Sequence, residues 1–240
     1  TMMRRGVTPY LAKRSMRTYS TAIAAVMVHR EEADAMICGV FGEYRWHLNY
    51  VNQVLGCEKL YPHGSLSLMI LEDGPVFIAD THVHVFPTPE QLAQIATGAA
   101  RHARRFGVDP KVAFCSQSQF GNQGSDSGKR LRAAIAILDE APRDFVYEGE
   151  MNVDAAFDQE LRARLLPDNR LEGCANILVF SNSDAASGVR NILKVKARGL
   201  EVGPILMGMG NKAHIATTGI TARGLLNMAA IAGTPVTQYG

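Results

Sequence analysis

Short apolar runs alternate with longer stretches in which apolar residues recur every three or four positions, and the alternation continues along most of the chain. A period near 3.6 marks a helix with one buried face, whereas a brief continuous apolar run between turn residues marks a strand covered on both sides. On this basis "GVTPYLAKRSMR" predicts a helix with Thr8 as N-cap and Pro9 at the first helical position, and "STAIAAVMVH", apolar nearly all round, predicts a buried helix. "ADAMICGV" (33–40) reads as a buried strand and "YRWHLNYVNQVLG" as a helix. "LSLMILEDGPVFIAD" reads as two strands turning at Asp73-Gly74. "TPEQLAQIATGAARHARRFG" opens with Thr88, Pro89 and Gln91, a hydroxyl cap with its reciprocal partner, and stops at Gly107.

From there strand and helix alternate: "KVAFCS" with "SDSGKRLRAAIAILDEA", "DFVYEG" with "NVDAAFDQELRARLL", "ANILVF" with "SDAASGVRNILKVKARG", and "VGPILMG" with "TARGLLNMAAIA". This order implies right-handed crossovers and an α/β fold built on a mostly parallel, doubly wound sheet with helices on both faces. Ligands of such sheets sit beyond the carboxyl ends of the strands, so the loops to search begin near Ser116, Glu148, Ser181 and Gly208.

Composition narrows the partners. The 240 residues are 47% hydrophobic and 20% charged with a net charge of +2, enough apolar material for one large or two small cores. Basic residues are interspersed with acidic ones, which gives neither nucleic acid nor an anionic membrane an electrostatic footprint. No apolar run approaches the roughly 20 residues that span a bilayer, and the opening "TMMRRGVTPY" lacks a secretory pattern. Cys38, Cys57, Cys115 and Cys174 are scattered, which speaks against a disulfide framework or zinc site and for a reducing cytoplasm.

Local motifs offer chemistry. Asp80, His82 and His84 in "FIADTHVHVFP" fall on one face of a strand by the period of two, a D-x-H-x-H arrangement seen in metal strands, but further ligands are lacking downstream and exposed histidines are the expected outcome. "GMGNKA" (208–213) follows a strand with dinucleotide-like glycine spacing, yet neither the immediate helix nor the later acidic residue follows. "SQSQFGNQGSDSGKR" (116–130) is a polar loop entering a helix, with amides and hydroxyls suited to an anion or simply to solvent.

The ordered segments "RRGVTPYLA", "EEADAMICG", "DPKVAFCSQSQFG", "YEGEMNVDAAF", "PDNRLEGCANILVF", "GPILMGMGNKAHI" and "RGLLNMAAIA" together resemble the phosphotransacetylase family, and more closely the phosphotransacetylase-like C-terminal domain of bifunctional NADP-dependent malic enzymes. The resemblance runs from about Met3 to Ala232. It implies two α/β subdomains with a cleft between them, approximately residues 20–115 in one and 1–20 with 116–240 in the other. It also implies a further α/β segment ahead of Arg4-Arg5-Gly6, with NADP and divalent metal confined to a malic enzyme domain outside these residues. No cofactor or metal is expected in this chain.

Family members move an acetyl group between coenzyme A and phosphate. The resemblance places a phosphate-binding arginine, a charge-stabilising serine and a general-base aspartate on the loop "HIATTGITARG" and its helix. Residue by residue, serine falls on Thr217, arginine on Thr218, glycine on Gly219 and aspartate on Gly224, while a second family arginine falls on Asn49. Only the glycine is retained, with Arg223 standing as a possible substitute cation. The resemblance therefore implies an emptied active site that binds acetyl-CoA as a regulatory signal, with Ser116, Ser118, Asn182, Met207, Gly208, Thr217, Thr218 and Gly219 as candidate ligand positions. A working acetyltransferase is the alternative. The family's habit of dimerising implies a homo-oligomer, with "LLNMAAIA" either at a subunit contact or in the core.

Overall fold

A computed structural model describes residues 2–57, 64–122 and 124–234. The chain divides into two compact units, one of residues 1–63 and 202–240 and the other Gly64–Glu201. The division falls at 63/64 and 201/202 rather than near 20 and 115, because the hairpin strands pair into the same sheet as the later parallel strands.

In the first unit, α1 (Pro9–Thr18) starts as the sequence predicts, the Thr8 hydroxyl accepting from the Leu11 N–H. Helix α2 (Ser20–His29) buries Thr21, Ala22, Ala25 and Val28 but leaves Ile23 and Met27 exposed, so it is covered on one face rather than all round. Strand β1 (Met36–Gly39) is shorter than the apolar run that predicts it, and α3 (Tyr44–Val54) follows. Strand β7 (Leu200–Met207) carries the chain back into this unit, and β8 (Ala213–Ala216) pairs parallel with β1. The two strands approach so closely at Gly39, φ +104°, that a Cβ there would lie 2.0 Å from the Ala216 carbonyl oxygen. Helix α9 (Ala222–Gly233) closes the unit, with Thr221 capping its start by accepting from the Gly224 N–H.

The "GMGNKA" segment is a turn rather than the start of a helix. Gly208, Gly210 and Asn211 all have positive φ, and β8 follows directly. The Asn211 amide nitrogen donates to the carbonyls of Ile231, Ala232 and Thr234 and its Oδ1 accepts from His214 Nε2, fastening the far end of α9.

In the second unit, β2 (Gly64–Leu71) and β3 (Gly74–Ala79) form the predicted hairpin, but Leu71 pairs with Gly74, so Glu72-Asp73 form the turn and Gly74 takes the first strand position. Next come α4 (Pro89–Arg105), with its complete capping box, β4 (Lys111–Cys115), α5 (Asp126–Asp139), β5 (Val146–Met151), β6 (Ile177–Phe180) and α8 (Ser183–Val195). The strand order is β5-β4-β6-β3-β2-β7, with only β2 and β3 antiparallel among the described pairs. Helices cover both faces, Ala113, Ile78, Leu178 and Phe180 packing with Ala155, Ala156 and Ala186 of the helices on one of them.

The single helix predicted over "NVDAAFDQELRARLL" is two, α6 (Val153–Phe157) and α7 (Gln159–Leu165). Asp158 adopts an extended conformation and caps α7 by accepting from the Leu161 N–H at 2.9 Å, which interrupts the helical ladder. Arg162 of α7 is fully buried and donates to the carbonyls of Ala155, Leu171 and Gly173 and to the Asn169 amide oxygen. It satisfies backbone acceptors left open at the end of α6 and in the loop before β6. Replacing Arg162 by Met strands these carbonyls in the core, and the expected loss is about 3 kcal/mol of stability, read as a lower urea midpoint at unchanged m.

Candidate functional site

Strands β4 and β6 are adjacent and parallel, Cys115 opposite Phe180. After β4 the chain crosses through α5 to β5 on one side, and after β6 it crosses through α8 towards β7 on the other. Their carboxyl ends therefore form a topological switch point, the place in such sheets where ligands bind.

Hydroxyls line this point. Ser127 Oγ of α5 lies 2.6 Å from Ser181 Oγ and 3.4 Å from Ser116 Oγ, and Asn182 Nδ2 donates to Ser181 Oγ at 3.4 Å. Ser116 and Asn182, two of the sequence-predicted positions, are thus brought together by two serines that the sequence reading did not single out as ligand positions. Asn182 also caps α8, its Oδ1 accepting from the Ala185 N–H.

Ser118 is not part of that edge. It is fully buried, and its hydroxyl donates to Glu150 Oε1 at 2.5 Å. The same oxygen accepts from the Gly121 N–H at 2.9 Å and from Arg132 at 2.7 Å. Within the 116–122 loop the amides of Ser116, Ser118, Gln119, Phe120, Gly121 and Asn122 all have internal acceptors. The loop is held shut on Glu150 instead of presenting its amides to an anion, and the capacity for one lies in the serine hydroxyls and the first turns of α5 and α8.

Asp80, His82 and His84 stand on the loop leaving β3, not on a strand face. Asp80 Oδ1 accepts from the N–H groups of Ser65, His82 and Val83 and from the Ser65 hydroxyl, while Oδ2 accepts from the N–H and Nδ1 of His84. Burial raises the Asp80 pKa, but bonds from His84, Ser65 and Val83 outweigh it and hold the carboxyl below its usual range. Among the described residues no group of three histidine, cysteine or acidic side chains is placed to hold a metal.

The family loop lies in the first unit. Thr217 is half-buried, Thr218, Gly219 and Arg223 are exposed, and Asn49 is exposed on α3. Met207, the last residue of β7, is packed inside with 2% exposure, and Gly208 beyond it is buried with φ +79°. Gly224 is the third residue of α9, and a Cβ built there would meet Ile220 Cγ1 at 2.9 Å. The first turn of α9 carries no acidic residue, and Arg223 adds a cation to the positive end of the helix dipole. That arrangement costs helix stability and favours an anion.

Comparison with known proteins agrees with this architecture. The chain matches the phosphate acetyl/butaryl transferase family over residues 1–233 and belongs to it. It is 44% identical to the NADP-dependent malic enzyme of Salmonella typhimurium over 96% of this chain but 31% of that protein, and 41% identical to that of Escherichia coli over the same shares. The chain thus spans about a third of the length of the malic enzymes it matches. The phosphate acetyltransferase of Synechocystis is 29% identical over 95% of this chain and 33% of that protein. A solved phosphotransacetylase from Streptococcus pyogenes superposes with a TM-score of 0.82 at 26% identity, covering 88% of this chain and 65% of the other.

Burial, then the nearby Arg190 charge, pushes the His82 pKa down to about 4, so the folded chain holds it neutral where an unfolded histidine, near pH 6.5, takes a proton. Stability tied to His82 is therefore complete above about pH 6.5 and is lost as pH falls towards about 4; the Asp80 contribution is lost only below its ordinary value near 4. A melting series in pH is expected to decline from about 6.5, and His82→Gln to remove that upper limb while keeping the steep acid one.

Proposed function

We propose that this chain is the phosphotransacetylase-like domain of a malic enzyme-type protein, and that it binds acetyl-CoA as a regulatory signal without turning it over at a useful rate. The observation that carries the reading is the state of the base position. Gly224 brings no carboxylate, and Ile220 occupies the space its side chain would need. Thr218 and Asn49 likewise bring no charge where family members hold phosphate. Losing one preorganised donor costs about 10²–10³ in rate and losing a general base about 10²–10⁴. What survives suits binding. Arg223 at the start of α9, with the Thr217 and Thr218 hydroxyls of the same unit, attracts an anion and needs no proton transfer.

The domain's partner in this reading is the malic enzyme portion of the same protein, which would hold NADP and the divalent metal. A cytoplasmic setting fits a chain whose four cysteines are scattered along the sequence. Among the described residues no helix is long and apolar enough to cross a membrane.

Helix α9 favours an assembly role beside the sensory one. Met228 and Ile231 face inward, whereas Leu225 and Leu226 are exposed, and an apolar outer face of this kind fits a second copy of the chain.

Calorimetry on the full-length protein is expected to give saturable acetyl-CoA binding that Arg223→Ala weakens about tenfold, the loss of one charge-assisted contact. The acetyl phosphate assay is expected to stay at background, and turnover that Arg223→Ala abolishes overturns the reading. In solution, Leu226→Glu is expected to lower the measured mass of the assembly if α9 joins two copies, and an unchanged mass assigns that face elsewhere.

A further inference from the structure

The Asp80–His84 pair has a property that the fold does not use. Every hydrogen-bonding group around Asp80 is a donor: three backbone N–H groups on or near its own loop, the Ser65 amide and hydroxyl, and the His84 ring. A carboxylate so surrounded is an acceptor only, so the proton on the 2.8 Å contact belongs to His84 Nδ1. In the neutral form of the ring the lone pair is then on Nε2. Among the described residues nothing meets that nitrogen. His84 is held at 18% side-chain exposure, with a hydrogen-bond acceptor fixed in one orientation and left open.

Its surroundings belong to the switch point. The Val85 carbonyl accepts from the Ser183 N–H in the first turn of α8, which sets the 80–86 loop beside the Ser181–Asn182 edge. Phe86 is exposed, and the Arg130 guanidinium lies 5.8 Å from its ring centroid while donating to the Pro87 carbonyl. Arg130 and Ser127 are three residues apart on α5 and so share a face, which puts a cation next to the serine hydroxyls. An edge with a cation, hydroxyls, an exposed aromatic ring and one open acceptor matches a ligand that is anionic along part of its length and ends in a hydrogen donor.

We propose that His84 Nε2 accepts the S–H hydrogen of free coenzyme A, making His84 the residue by which this domain tells the free thiol from its acetyl thioester. This rests on the acyl-CoA reading above and deepens it, since a sensor that separates the two forms reports their ratio rather than their sum. The basis is general: a site with a fixed acceptor favours the ligand that supplies the hydrogen over an analogue that leaves the acceptor unmet. An acetylated sulfur has no hydrogen to give.

The test is calorimetric titration of the full-length protein with coenzyme A, acetyl-CoA and desulfo-coenzyme A. Coenzyme A is expected to bind about fivefold to tenfold more tightly than either analogue, the margin of one hydrogen bond. His84→Ala is expected to bring coenzyme A to the level of acetyl-CoA and to leave acetyl-CoA within about twofold of its original affinity, since only the thiol uses the acceptor. His84→Asn, whose amide still donates towards Asp80 but is too short to replace Nε2, is expected to lose the preference in the same way and serves where the alanine variant melts early. A preference that persists in both variants, or equal binding of all three ligands by the unaltered protein, overturns the assignment. Failure of the unaltered protein to bind any of them removes the acyl-CoA reading itself, and the assignment with it.

Discussion

A backbone that leaves a parallel sheet at its carboxyl edge carries amide groups that no neighbouring strand accepts, and a buried amide without a partner is costly. This chain meets that requirement with carboxylates. Asp80 gathers the loop after β3, and Glu150 gathers the loop after β4 together with Ser118 and Arg132. Glu148 accepts from the Arg170 amide and guanidinium ahead of β6. These acids sit at 4% exposure or less, so their role is structural. The consequence for function is direct. Amides committed to a buried carboxylate are withdrawn from any ligand, and what remains at the edge includes hydroxyls, helix starts and the His84 imidazole.

Much of the architecture was legible because periodicity and capping speak locally. The start of α4 is spelled out by Thr88, Pro89 and Gln91, and the start of α1 by Thr8 and Pro9. The misreadings share a cause: a short polar side chain chose a local bond that no pattern of apolar residues records. Asp158 turned to cap its own helix and divided α6 from α7, and Asp80 drew its loop into a knot of hydrogen bonds where a period of two suggested a strand. Gly74, at a φ of +130° open to glycine alone, pairs with Leu71 and so moves the hairpin turn by one position to Glu72-Asp73.

The site was legible unevenly. The family loop could be aligned by residue, and the loss of its charges followed at once from Thr218 and Gly224. That Ile220 fills the space beside Gly224 required coordinates, since two residues four apart in sequence meet only once the first turn of α9 is built. Ser127 was not singled out, and Ser181 only as the start of a loop to search, for a different reason. They are far apart in the chain, and each alone is an ordinary helix-start or strand-end serine until the crossing of the connections brings them to 2.6 Å. Ser118 erred in the opposite direction, a loop serine read as a ligand position but recruited by Glu150.

Gly39 bears on the same loop from far away in the chain. Its missing side chain lets β1 lie against the Ala216 carbonyl, immediately ahead of Thr217 and Thr218. Even one added methyl group would wedge the two strands apart and carry the threonines with them. A genetic screen for lost ligand response would then point to a residue that touches no ligand, and the defect would look allosteric although its origin is simple crowding.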